Sequence, residues 1–246
     1  MTSSEPAPVG RFHSGRMVDG IPHMLGAWRV TTEDEAVAGR VAALMGGRPS
    51  LVGTAVGGGS LEVLTERESV RVLLDGTGAV RSDLVFWRGD ELVHRCDGVA
   101  FLSPETRRGQ PCGCPMLLED RKAAVRSKAG PAPRIDVVFR IAADPALGEF
   151  RFRTGSWKLA ERLWEVEQAL DGIDGQAVCD LALESVVYTA SRGREVCYRK
   201  PVLTVLGSPD SVAAEPGPDD DAMTSPSPAM AGPDGPARAL RPGGRS

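Results

Sequence analysis

The stretch GEFRFRTGSWKLAERLWEVEQALDGI, residues 148–173, carries a strand and a helix back to back, and its reading decides the fold class. Phe150 and Phe152 alternate with Arg151 and Arg153, so a strand here shows one apolar and one cationic face. Ser156 is placed to cap the helix that follows, and Gly172 to end it. Between them Leu159, Leu163, Val166 and Leu170 recur at helical spacing and form one apolar stripe, with Trp157, Ala160 and Trp164 beside it. A two-residue period that gives way to a helical period within one short stretch excludes an all-helical or all-strand chain.

The flanking segments extend the pattern. RIDVVFRIA (134–142) is the strand expected to pair with residues 150–153, and VCDLALESVVYTA (178–190) with EVCYRKPVLTVLG (195–207) reads as a long hairpin across Ser191-Arg192-Gly193. Upstream, LEVLTERESVRVLLDG (61–76) gives two strands, about 61–65 and 70–74, with TERES as the turn. AVRSDLVFWRGDELVHRC (79–96) gives two more, about 79–87 and 91–96, around Arg88-Gly89-Asp90. These four predict an antiparallel meander. A helix is expected in TTEDEAVAGRVAALMGG (31–47), with Thr31 or Thr32 as N-cap, Val37, Val41 and Leu44 or Met45 inward, and Gly46-Gly47 as its stop. Another is expected in MLLEDRKAAVRSK (116–128), with Pro115 in its first turn. The whole predicts an α+β fold: a largely antiparallel sheet, about three helices, a small zinc knuckle and a disordered C-terminal tail.

Composition sets the limits. Of 246 residues 41% are apolar, enough for one substantial core. The net charge of −4 argues against a protein whose main work is coating nucleic acid. Residues 1–11 are Pro- and Ser-rich and read as flexible; 12–206 hold every aromatic residue and cysteine; 207–246 are rich in Pro, Gly and Asp and read as disordered. No run of apolar residues reaches membrane-span length, and the N-terminus lacks the pattern of a signal peptide, so a cytoplasmic location is expected. The five cysteines are then expected to be reduced.

The strongest chemical signal is His94-Arg95-Cys96 followed, after a loop, by Cys112-Gly113-Cys114. Alternate residues on a strand share a face, so His94 and Cys96 can aim at one point. Gly113 permits a tight wrap between prolines 111 and 115. Four N/S donors match a closed, structural zinc site with no open catalytic position. The spacing is not the usual Cys-x2-Cys, and the alternative is a buried Cys96 with two loop thiols. Asp97 reads as a turn former rather than a group supporting the ligands, and Cys179 and Cys197 as core residues.

Enzyme signatures are lacking. Gly57-Gly58-Gly59 is not followed by the Lys-Ser/Thr of a phosphate loop, and reads as a turn. His13 and His23 join no Ser/His/Asp set. Arg151, Arg153, Trp157 and Lys158 form the best candidate contact strip, because Arg and Trp anchor interfaces; the alternatives are a solvated cationic face or contact with DNA. Arg121, Lys122, Arg126 and Lys128 on the middle helix present the same choice.

The order of the segments adds a resemblance. Phe12-His13-Ser14-Gly15, Trp28-Arg29-Val30-Thr31-Thr32, Leu61-Glu62-Val63-Leu64-Thr65 and Ala79-Val80-Arg81-Ser82-Asp83 come first. Leu92 to Val99, Phe101-Leu102-Ser103-Pro104-Glu105 and Pro111-Cys112-Gly113-Cys114-Pro115 follow. Phe139 to Pro145, Phe150 to Trp157 and Lys200-Pro201-Val202 complete the series. From about residue 12 to 207 the chain resembles the recombination directionality factors that Streptomyces temperate phages use with large serine integrases. The resemblance implies a non-catalytic regulator. It would bind an integrase on its att-site DNA, chiefly near the coiled-coil and zinc-ribbon region, and favour attL × attR excision. DNA contact would be indirect or weak, and no small-molecule substrate or membrane is implied. The other reading is a zinc-stabilised DNA-binding module of phage or mobile-element replication.

Overall fold

The structure is a computed structural model and describes residues 7–52, 59–189, 193 and 195–214. Twelve strands and five helices follow one another along the chain. They begin β1 (Gly10–Val18), β2 (Ile21–Thr32), α1 (Glu35–Met45), β3 (Pro49–Val52), β4 (Ser60–Leu64) and β5 (Ser69–Asp75). Next come β6 (Val80–Arg88), β7 (Glu91–Cys96), β8 (Phe101–Ser103), α2 (Leu118–Arg126), β9 (Ala132–Ile141) and β10 (Phe150–Thr154). The series ends with α3 (Trp157–Ala160), α4 (Leu163–Asp171), β11 (Gln176–Thr189), β12 (Glu195–Gly207) and α5 (Pro209–Ala214). Three of the helices have nine or more residues, and the expected α+β class holds.

The spine of the sheet is β9. Its alternation is complete: Pro133, Ile135, Val137, Phe139 and Ile141 are buried, and the residues between them are half-exposed. On one side it pairs antiparallel with β10, as expected. On the other it pairs with β6 along Ala132–Val137 and with β5 at Arg140 and Ile141, so the sheet forks there. One arm runs β5-β11-β12; the other carries β6-β7-β8. Beyond β10 the order is β1-β2-β4-β3. All pairings are antiparallel except β1 with β10, where Arg11 lies opposite Arg151 and Phe12 opposite Phe152.

The main core is built from β1, β2, β4, β5, β9, β10, β11 and β12 together with α1, α3 and α4. Phe12, Trp28, Phe139, Phe150 and Phe152 meet edge-on or stacked with centroids 5.1–6.3 Å apart. Val37, Ala38, Val41 and Met45 of α1 join this cluster, as do Leu159, Leu163, Val166 and Leu170, the stripe read from the sequence.

Several expectations need correction. The strands at 60–64 and 69–75 do not form a hairpin: β4 pairs with β2 and β3, whereas β5 pairs with β9 and β11. The meander is therefore limited to β6-β7-β8. Thr31 and Thr32 belong to β2, and the cap of α1 is Asp34, whose carboxylate accepts from the amides of Ala36 and Val37. Pro115 lies before α2 rather than in its first turn. The helix after Ser156 is broken, because Arg162 leaves helical geometry (φ −110°, ψ 3°) between α3 and α4. Ser156 does cap it, accepting from Leu159 N–H at 3.3 Å. Cys179 is buried, but Cys197 is exposed, because the far half of the β11–β12 hairpin runs beyond the core. Of the segment read as a tail, Pro209–Ala214 forms α5. Residues 1–6, Gly57, Gly58, Ser191, Arg192 and 215–246 lie outside the described residues.

Candidate metal centre

The β6–β7 hairpin places Leu84 opposite Cys96 and Phe86 opposite His94, so these four point to one side, and Arg95 points to the other. β8 then returns along β7, and the chain loops through Cys112-Gly113-Cys114. Gly113 takes φ +70°, a conformation in which a Cβ would be strained. The turn after Cys96 is closed by Asp97, whose carboxylate accepts from the amides of Val99 and Ala100 at 2.8 Å each. Those two bonds hold its carboxyl below the usual range, and Asp97 is therefore a turn former.

The result is one cluster. Sγ of Cys114 lies 3.4 Å from Nε2 of His94 and 3.6 Å from Sγ of Cys96. One donor atom from each of His94, Cys96, Cys112 and Cys114 falls within 4.8 Å of all the others. A tetrahedral ion with bonds of about 2.0–2.3 Å sets its donors about 3.6–3.8 Å apart, so the donor set and spacing fit a metal ion. Burial is the main cause that pushes the Cys96 and Cys114 thiols up. At Cys112 burial acts upward too, but hydrogen bonds from the Cys114 amide and the neighbouring thiols outweigh it, and the net shift is downward. His94 is lowered by burial and then by Arg107, which favours the neutral imidazole a metal needs.

Three supports of this cluster escaped the sequence reading. Phe101 packs beside it, its ring 4.5 Å from His94, with the Arg107 guanidinium 3.7 Å over its other side. Arg121 of α2 donates to the carbonyls of Pro115 and Gly98, the latter at 3.3 Å, and so ties the cysteine loop to the turn after Cys96. The third is Trp157, which was read as a contact residue: it packs against this small cluster of Leu84, Cys96, Phe101 and Cys112. No local sequence signal marks Arg121, since it joins backbone atoms far apart in the chain.

The proposed contact strip is divided by the fold. Arg151 and Arg153 stand together on the outer face of β10, opposite the buried Phe150 and Phe152. Arg153 is held by Asp136 at 2.8 Å, and Lys158 by Glu161 at 3.1 Å. Lys122 of α2 also bonds Glu161, at 2.6 Å, so the helical cations are partly neutralised. Nε of Arg151 is buried without a hydrogen-bond partner among the described residues.

The Gp3-like family, described as recombination directionality factor-like, matches residues 9–205. The chain belongs to this family. The match begins just before β1 and ends at residue 205 within β12, so it covers all of the sheet but the last two residues of β12, together with the His/Cys cluster, of this recombination directionality factor-like protein. No solved structure matches the chain. Among the described residues no helix is long and apolar enough to cross a membrane.

Proposed function

We propose that this protein is a non-catalytic regulator of site-specific recombination that binds a large serine integrase on its att-site DNA and favours excision, attL × attR, over integration. The observation that carries this reading is the family match across the whole sheet. The integrase would keep the nucleophile. The regulator would act by binding the excision-competent arrangement more tightly than the other. Reversing an equilibrium from 1:99 to 99:1 requires about a 10⁴-fold preference, about 5.5 kcal/mol. The Arg151, Arg153, Trp157 and Lys158 strip is the proposed contact region, with Trp157 linking it to the metal cluster.

We assign zinc, in a structural role, to His94, Cys96, Cys112 and Cys114: the His/Cys₃ donor set leaves no open coordination position. The function is tested by mixing the protein with the large serine integrase encoded on the same element. The expected outcome is recombination of attL with attR only when both are present. Failure at concentrations where the two proteins demonstrably bind would refute the excision role. Sequence-specific retention of DNA without any integrase would favour the replication-module reading instead.

A further inference from the structure

The outer face of the sheet across β1, β10, β9, β6 and β7 carries six arginines, Arg11, Arg81, Arg95, Arg134, Arg151 and Arg153. Arg11, Arg151 and Arg153 line one shallow depression of about 310 Å³. Arg81, Arg95 and Arg134 join Arg151 and Arg153 around a second of about 140 Å³. Two carboxylates lie at the base of this surface. Asp83 holds Arg95 at 2.7 Å and Arg134 at 2.9 Å, while Asp136 holds Arg153 at 2.8 Å. Their side chains are only 12% and 16% exposed, against 39% for Arg95 and 56% for Arg153, so the acids anchor guanidiniums that face outward. With Arg81 left aside, five arginines against two aspartates leave a local charge of +3 on a chain whose net charge is −4. At the margins Arg29–Glu62 and Arg140–Asp75 are self-neutralising pairs. His13, beside Arg11, has its pKa lowered to about 4, by burial first and then by Arg29 and Arg11.

We infer that this face binds the phosphate backbone of duplex DNA without regard to sequence. Charge complementarity calls for a polyanion. None of the large exposed apolar side chains lies among the six arginines, whereas a protein interface needs an apolar or aromatic anchor at its centre. Phe12 borders the first depression, but its ring is buried in the core against Trp28, Phe139 and Phe150, so no exposed Phe, Tyr or Trp ring there offers the stacking platform of a single-strand site. Four strand spacings from β1 to β7 span about 19 Å, the rise of five to six base pairs. Arg151 and Arg153 also belong to the strip proposed for the integrase, so the inference is tested with DNA alone; Trp157, the aromatic anchor of that strip, lies outside the two depressions.

The test is fluorescence anisotropy with the full chain and a labelled duplex of arbitrary sequence. With about four phosphate contacts, affinity should fall about a hundredfold between 50 and 200 mM salt. Arg11→Glu, at an exposed position with no ion pair among the described residues, and Arg151→Gln should each weaken binding about tenfold or more, with melting temperature and metal content of Arg11→Glu unchanged. No binding at low salt, or binding indifferent to both substitutions, would overturn the inference. So would single-stranded DNA bound as tightly as duplex. Polyglutamate competing as well as duplex would assign the face to an acidic protein segment.

Discussion

Removing the metal, by chelation or by Cys112→Ser, should cost this protein a large but local share of its stability. The small cluster of Leu84, Cys96, Phe101 and Cys112 is separate from the main core, which holds 28 buried residues and takes only Val80 from β6, β7 and β8. Loss of the ion therefore frees the segment from Cys96 to Cys114 and the three-residue β8, while the main core persists. An ion present at a thousand times its dissociation constant contributes about 4 kcal/mol to the folded state. For a chain of this size that corresponds to about 8–16 °C in melting temperature. The assay is calorimetry of the loaded protein, the chelated protein and Cys112→Ser, with metal content measured by emission spectroscopy on the same samples. One zinc per chain, absent from Cys112→Ser, and a lowered transition are expected. Cys197→Ser is the control: Cys197 is exposed on the far hairpin and should change neither quantity. Wild-type protein that carries no metal, or whose melting is indifferent to chelation, would refute the reasoning.

Two further outcomes follow from named contacts. Arg121→Met removes the donor to the Pro115 and Gly98 carbonyls, and should weaken zinc affinity about 10- to 100-fold in a chelator competition without unfolding the main core. His13 has its pKa lowered from 6.5 to about 4 in the folded chain, so the unfolded chain binds more protons between those values. Stability is complete above pH 6.5 and falls as the pH drops toward 4. Discounted for the partial exposure of the ring, the loss is about 1–2 kcal/mol. His13→Gln should flatten the slope in denaturant titrations across that window, and an unchanged slope would argue that His13 is not the group responsible.

What the sequence showed clearly was local. The alternation of Phe150 to Arg153, the Ser156 cap and the stripe from Leu159 to Leu170 depend on neighbours in the chain, and all are present. The gathering of His94, Cys96, Cys112 and Cys114 was legible for the same reason: strand alternation paired His94 with Cys96, and Gly113 permitted the turn between Cys112 and Cys114. Partner choice was not legible. TERES is polar enough to pass for a hairpin turn, but Thr65 N–H bonds Trp28 O and Glu66 N–H bonds Met45 O, so the chain there crosses from one part of the sheet to another. The break at Arg162 left no trace either, since Glu161 and Arg162 are good helix formers and only tertiary packing divides α3 from α4. The arginine face was half visible: β10 advertised Arg151 and Arg153, but their company from β1, β6 and β7 required the fold.

The seating of β1 between β10 and β2 has a consequence for how the molecule comes into being. Gly10–Phe12 must find Phe150–Phe152, so β1 cannot gain its second neighbour until the whole span from β2 to β10 has been made. Contacts of such sequence separation close slowly and leave an apolar strand edge waiting. The His94–Cys114 loop closes over a short span, and from downstream it takes only Arg121 and the packing of Trp157. Order along the chain and order of assembly therefore differ: the His94–Cys114 corner can be finished early, and β1, which precedes it, is among the last to be locked in.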